Sequence, residues 1–323
     1  MYIPSDYSSA VALMFVTMLC WGSWANTQKL SPNWRFELFY WDYVLGVLAT
    51  SIVLGLLLAG KPAFVTDALA AAPEARTYAL GGGMIFNVAN LLLVAAISIA
   101  GMAVAFPIAI GIALVLGTAL SYWLQPSGDA RFLMMGVAMI FVAIILDAKA
   151  YKKLSALHKS TSQKGIWISI ISGLLMGSFY PLVARSMEGV GALDPYTALL
   201  WFSIGVYLCN FVANTWLMRK PIAGAPVSFS QYFQGTFTQH LTGILGGAIW
   251  CVGMGLNIVA AQQAGPAVAY AFGQGATLIA AIWGVFVWRE FKGVNGVNAL
   301  LFFMFVSYIL GLALIGAAKL GLV

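Results

Sequence analysis

Two carboxylates, Glu37 and Asp42, stand at the start of an apolar run that opens at Phe36. On a helix, Asp42 would lie about 9 Å in from that end. A carboxyl at that depth is costly to insert, and one that alternates between neutral and charged forms is a candidate proton-coupling group. The competing reading is an interfacial Asp at a helix N-terminus, with Tyr40, Trp41 and Tyr43 as an aromatic belt. Glu37 shares the proton-coupling candidacy, although an interfacial ion pair with Arg35 explains it as well. Five residues apart, the two carboxylates sit roughly 140° around a helix, so they form no same-face pair.

Neutral amides and aromatic rings are the candidate substrate contacts. Asn87 and Asn90 share one helix face, as do Asn210 and Asn214. Trp21, Trp24, Asn26 and Gln28 cluster at the end of the first apolar run, and Ser178 and Tyr180 occupy the related stretch of the sixth. Gln263, Tyr270 and Gln274 complete the set, in the eighth and ninth runs. Amides both donate and accept hydrogen bonds, and flat rings stack on a sugar or heterocycle. Helix–helix hydrogen bonding and interfacial anchoring are the plainer uses of the same residues. Asp147 and Glu290 each end an apolar run among basic neighbours and read as interfacial. Neither His158 nor His240 has a ligand partner at useful spacing. No metal site is expected, and Cys20, Cys209 and Cys251 read as small buried hydrophobes.

These residues sit in an extremely apolar chain. Charged residues are 8% of it and hydrophobic residues 62%, where a soluble domain carries about 25% charge. The mean hydropathy is +0.92. Runs long enough to cross a bilayer centre on Val16, Ala49, Leu91, Ala113, Ala138, Gly173, Gly205, Val252, Ile279 and Phe305. The fold class expected is therefore an all-α polytopic membrane protein of ten transmembrane helices. The first run is preceded by no basic segment and reads as a retained span rather than a signal peptide. Tight hairpins are expected around Gly101 and Gly265–Pro266, with Pro266 at a first helical position.

The net charge of +6 follows membrane orientation rather than nucleic-acid binding. Lys29, Arg35, Arg219, Lys220, Arg289, Lys292 and the lysines between 149 and 164 fall at one face. Only Lys61, Arg76, Arg131, Arg185 and Lys319 fall at the other. The positive-inside rule puts the first face in the cytoplasm and both termini outside, in an inner (cytoplasmic) or plasma membrane.

An internal repeat organises the spans. Gly82-Gly83 recurs 164 residues later as Gly246-Gly247, Ala100-Gly101 as Ala264-Gly265 and Ala103-Val104-Ala105 as Ala267-Val268-Ala269. Five spans per copy is an odd number, so the second copy enters the membrane from the opposite side, giving a 5+5 inverted repeat. The expected division is residues 1–148, a basic linker at 149–164, and residues 165–323. Gly111, Gly117, Gly273 and Gly275 either pack helices closely or leave room for a ligand.

Read together, these stretches resemble the drug/metabolite transporter superfamily, and within it the ureide permease and glucose/ribose porter branch. The resemblance rests on Cys20 to Trp24, Trp41-Asp42-Tyr43, Gly82-Gly83 with Asn90-Leu91 and Gly101, and Val115 to Thr118. In the second half it rests on Gly255-Leu256, Gln263-Ala264-Gly265 and Gly284-Val285. The resemblance implies ten helices and proton- or cation-coupled uptake, of ureides and related heterocycles in one group and of sugars in the other. Plant ureide permeases also carry a long central loop with a phosphate-loop-like motif, which 149–164 lacks, so no nucleotide role is inferred.

The resulting expectation is a secondary transporter of a small polar solute, either a ureide-like heterocycle or a monosaccharide, moved with a proton or Na+ and needing no cofactor. The main alternative is a drug or metabolite exporter. A channel would need charged rings or a filter loop. A membrane enzyme would need acids and bases that are scarce here.

Overall fold

The computed structural model describes residues 1–154 and 162–320. Among them are ten helices long and apolar enough to cross a membrane. We number them α1 (Tyr7–Lys29), α2 (Phe36–Gly60), α3 (Pro73–Ala100), α4 (Val104–Leu124) and α5 (Ala130–Leu154), then α6 (Gln163–Ser186), α7 (Pro195–Arg219), α8 (Phe237–Ala264), α9 (Pro266–Val287) and α10 (Asn298–Ala317). No strand occurs among the described residues. In a chain this apolar, helices satisfy their own backbone hydrogen bonds without water, which makes them the workable way to span lipid.

The two expected hairpins are present. Gly101 (φ 79°) and Gly265 (φ 82°) each end one helix and start the next. That backbone conformation is open to glycine at no steric cost. Pro266 occupies the helix start after the second of them. Of the linker expected at 149–164, residues 155–161, with His158, lie outside the described residues; α5 remains helical through Leu154 and α6 begins at Gln163.

Helices from either side of the linker interleave. α3 packs on α6 and α7, α8 on α1 and α2, α4 on α6, α9 on α1, and α5 on α10. Close approach makes two of these pairings reciprocal. A Cβ at Gly83 of α3 would fall on the Phe202 carbonyl oxygen of α7, and one at Gly247 of α8 on the Tyr43 carbonyl oxygen of α2. In return, the Leu80 carbonyl lies over Gly205 and the Ile244 carbonyl over Gly46. Small residues permit this approach where lipid supplies no hydrophobic drive for helix association.

Two local irregularities shape α9. At Gly273-Gln274-Gly275 its hydrogen bonds tighten: Gly275 N donates to Phe272 O, and Thr277 N to Gln274 O. Over Trp283–Val287 the same helix widens by one residue, and Trp288 N donates to Trp283 O. The widening turns both indoles toward α1, where Trp283 Nε1 donates to Ser23 Oγ (2.9 Å) and Trp288 Nε1 to Asn26 Oδ1 (2.7 Å).

Candidate functional site

A cavity of about 550 Å³ enters the bundle at the end carrying Lys29 and reaches the middle of α3, α6 and α8. Its deep walls are aromatic. Phe86 and Trp250 face each other with ring centroids 4.4 Å apart, Trp250 stacks near Trp21 (5.9 Å), and Phe179 packs edge-on against Phe86 (5.2 Å). Trp24, Phe36 and Phe106 line the rest, and Gln28, Lys29, Asn90, Asp147, Gln274 and Thr277 bring the polar groups. Rings with a few placed polar groups are the usual composition of a small-molecule site.

Beneath the rings the bundle is closed. Tyr180 and Tyr270 are fully buried and 5.1 Å apart. The Tyr270 hydroxyl donates to the carbonyls of Ala113 (3.1 Å) and Met176 (3.3 Å), tying α9 to α4 and α6. At the opposite end lies a smaller pocket of about 240 Å³, lined by Gln125, Ser127, Gln262, Gln263 and Lys319. There Gln263 Nε2 donates to Pro4 O (3.0 Å).

Asp42 lies apart from the cavity, between α2 and α8, and is 2% exposed. Tyr232 Oη donates to its Oδ1 (2.6 Å), and His240 Nδ1 is 3.0 Å from both carboxylate oxygens. Trp34 packs edge-on against the His240 ring (5.6 Å). Burial and the neighbouring Asp42 push the Tyr232 phenol up, so it remains a donor to the carboxylate. Glu37 is held by Arg35 (2.7 Å), which also donates to the Ala223 and Ala225 carbonyls.

The ureide permease family profile matches residues 39–165 and 152–318. The chain belongs to the ureide permease family. It is 23% identical to ureide permease 1 of Arabidopsis thaliana over 99% of each chain. It is also 23% identical to ureide permease 2 of the same plant, over 95% of this chain and 97% of that one. A solved crystal structure superposes with a TM-score of 0.63 at 16% identity, covering 95% of this chain and 96% of the other. That last likeness concerns the fold alone. Ureide permeases are transporters, and this member is an integral membrane protein and not an enzyme.

In this permease, five of the residues expected from sequence meet on the cavity wall: Trp21, Trp24, Gln28, Asn90 and Gln274. Asn90 Nδ2 also donates to Tyr40 Oη (3.2 Å). The others lie elsewhere. Asn26 serves Trp288, Asn214 donates to the Glu37 carbonyl, and Ser178 donates to Leu174 O of its own helix. Asn87 and Asn210 are buried, and their amide groups have no hydrogen-bond partner among the described residues. The space over Gly117 is filled by the Tyr270 ring, that over Gly111 by Phe141, over Gly273 by Trp21 and over Gly275 by Leu312 and Met18.

Two sequence expectations are corrected. His240 does have a partner: Asp42, 198 residues away in the chain and invisible to any local spacing. Asp147, read as interfacial, is only 9% exposed and forms part of the cavity wall. Phe86, Phe179 and Trp250 escape the sequence reading. A signal for two of them existed, because Phe86 and Trp250 occupy the same place in the 164-residue repeat register.

Proposed function

We propose that this permease carries a ureide-like heterocycle with a proton, by alternating access between two inverted five-helix repeats, residues 1–148 and 165–323. The observation that carries the reading is the cavity, with stacked rings at depth and amides around them, closed beyond Tyr180 and Tyr270. A flat ring bearing N–H and C=O groups suits such walls. The reciprocal glycine contacts of α3 with α7 and of α2 with α8 support related halves that rock against each other. If the positive-inside rule orients the basic end to the cytoplasm, the cavity faces inward and both termini lie outside.

Asp42 is proposed as the proton-coupling group; Glu37, the second candidate, is paired with Arg35. The Asp42–His240–Tyr232 cluster bridges α2, α8 and the short helix Phe229–Phe233. Rocking of one half changes the burial of this cluster, and so which side exchanges its proton.

The test is uptake by the purified protein in liposomes under an imposed pH gradient, with labelled allantoin as probe. Accumulation above equilibrium is expected. It should collapse on adding a protonophore and be competed by ureides far better than by glucose or ribose. Gradient-independent leakage would mark a channel. Sugars competing as well as ureides would move the substrate to the monosaccharides. Preference for lipophilic cations would mark a drug exporter.

A further inference from the structure

We propose that Asp147 is the substrate anchor of this cavity, its carboxylate accepting adjacent N–H groups of a neutral, flat heterocycle. The proposal deepens the transport reading and rests on it.

Asp147 belongs to α5, seven residues before its end at Leu154, about 10 Å along the axis. It lines the cavity at 9% exposure, and its Oδ1 has no hydrogen-bond partner among the described residues. A buried polar group left without a partner costs of order 1–3 kcal/mol, more when it is charged, so each such group calls for an explanation.

Two cations at this end of the bundle are committed elsewhere. Lys29, on the same wall, is held by Glu290 (2.9 Å) and lies over the Trp288 ring (4.7 Å). The Tyr151 hydroxyl, one turn along α5, donates to the other Glu290 oxygen (2.8 Å). Lys153 donates to the Gly296 carbonyl (2.7 Å). From α10, Tyr308 is within electrostatic reach of Asp147, and from the loop after α9 so is Glu290. Glu290 thus takes the cation that the cavity wall carries among the described residues, and leaves Asp147 to whatever enters.

What enters must bring hydrogens. An ionised carboxylate only accepts, and its two oxygens match two parallel donors. Gln28, Gln274 and Asn90 on the same walls can meet the carbonyls of such a ligand, and the rings of Trp21, Phe86 and Trp250 can cover its faces. Lys29 at the mouth is already paired with Glu290, so among the described residues the wall offers an incoming anion no unpaired cation.

The experiment measures equilibrium exchange of labelled ureide in liposomes at equal pH on both sides, so that no proton gradient enters. Two ligands are compared as competitors: the parent ureide and an analogue whose N–H groups are methylated. In the wild type, methylation should weaken apparent affinity about tenfold or more, the scale of a hydrogen bond to a charged group. Asp147→Asn should weaken the parent by a similar factor and leave the methylated analogue almost unchanged. Asp147→Glu should recover part of the loss.

An equal loss for both ligands in Asp147→Asn would overturn the proposal and leave a structural role. Intact exchange combined with lost pH-driven accumulation would overturn it in favour of proton carriage. The comparison of the two ligands on the wild type needs no variant, so misfolding cannot hide a failure. If the wild type exchanges no ureide, the transport reading itself fails. If it does, and Asp147→Asn leaves the parent's affinity unchanged, only the anchor is lost.

Discussion

Asp42 meets two groups that the chain supplies from far away, Tyr232 and His240. Its carboxylate therefore faces a phenol, which stays protonated, and an imidazole, both within hydrogen-bond distance. Asp42→Asn should abolish pH-driven uptake while leaving exchange at equal pH and the folded state intact. Uptake at the wild-type rate in that variant would remove the coupling role. Tyr232→Phe removes one donor to a charged acceptor. It is expected to cost about 1.5–3 kcal/mol of cluster stability, seen as a shifted pH dependence of uptake with little change in substrate preference. Glu37 is the contrast: its partner Arg35 is its near neighbour in sequence, and such a partly exposed pair is worth about 0–1 kcal/mol. Glu37→Gln should change the pH profile far less than Asp42→Asn.

At the level of elements, glycine sets the helix spacing. The backbones of α3 and α7, and of α2 and α8, touch at Gly83 and Gly247, where even a methyl group meets a carbonyl oxygen. Gly83→Ala and Gly247→Ala should each destabilise the bundle by roughly 1–3 kcal/mol, the usual cost of overpacking. Gly81, on the same helix as Gly83, has nothing within 4 Å of where its Cβ would stand. Gly81→Ala should be neutral or raise stability by up to about 1 kcal/mol through helix propensity. Thermal unfolding of the three variants in detergent separates these outcomes. A Gly83→Ala protein as stable as Gly81→Ala would mean that α3 and α7 are not in close contact. The same logic of local geometry governs α9, whose tightened turn brings Gln274 to the cavity and whose widened turn sends Trp283 and Trp288 to α1.

Across the whole molecule the bundle is asymmetric. It is open from Lys29 to Trp250 and closed from Tyr270 to Gln263. A carrier at rest in this state should show one-sided access. With Cys20, Cys209 and Cys251 replaced, Thr277→Cys should react with a membrane-impermeant thiol reagent from the side of the basic loops and resist it from the other. Equal labelling from both sides would indicate a continuous pore. Saturating ureide should slow the labelling, because the cysteine would lie on the occupied wall.

The sequence by itself determined the number of spans, the two glycine hairpins and the class of protein, because water, lipid and backbone geometry act on each segment locally. A run of about twenty apolar residues needs no partner to be recognised, nor does a glycine at a helix break. It also marked five of the cavity's residues, since amides and tryptophans within apolar runs stand out by type. What it left to tertiary structure was partnership. Asp42 meets His240, Glu290 takes up Lys29, and Asp147 turns inward only because α1, α2, α5, α8 and α9 come together across hundreds of residues. A carboxylate near the end of a span looks interfacial in sequence. Its true surroundings depend on which helix covers it, and that is set by how all ten pack.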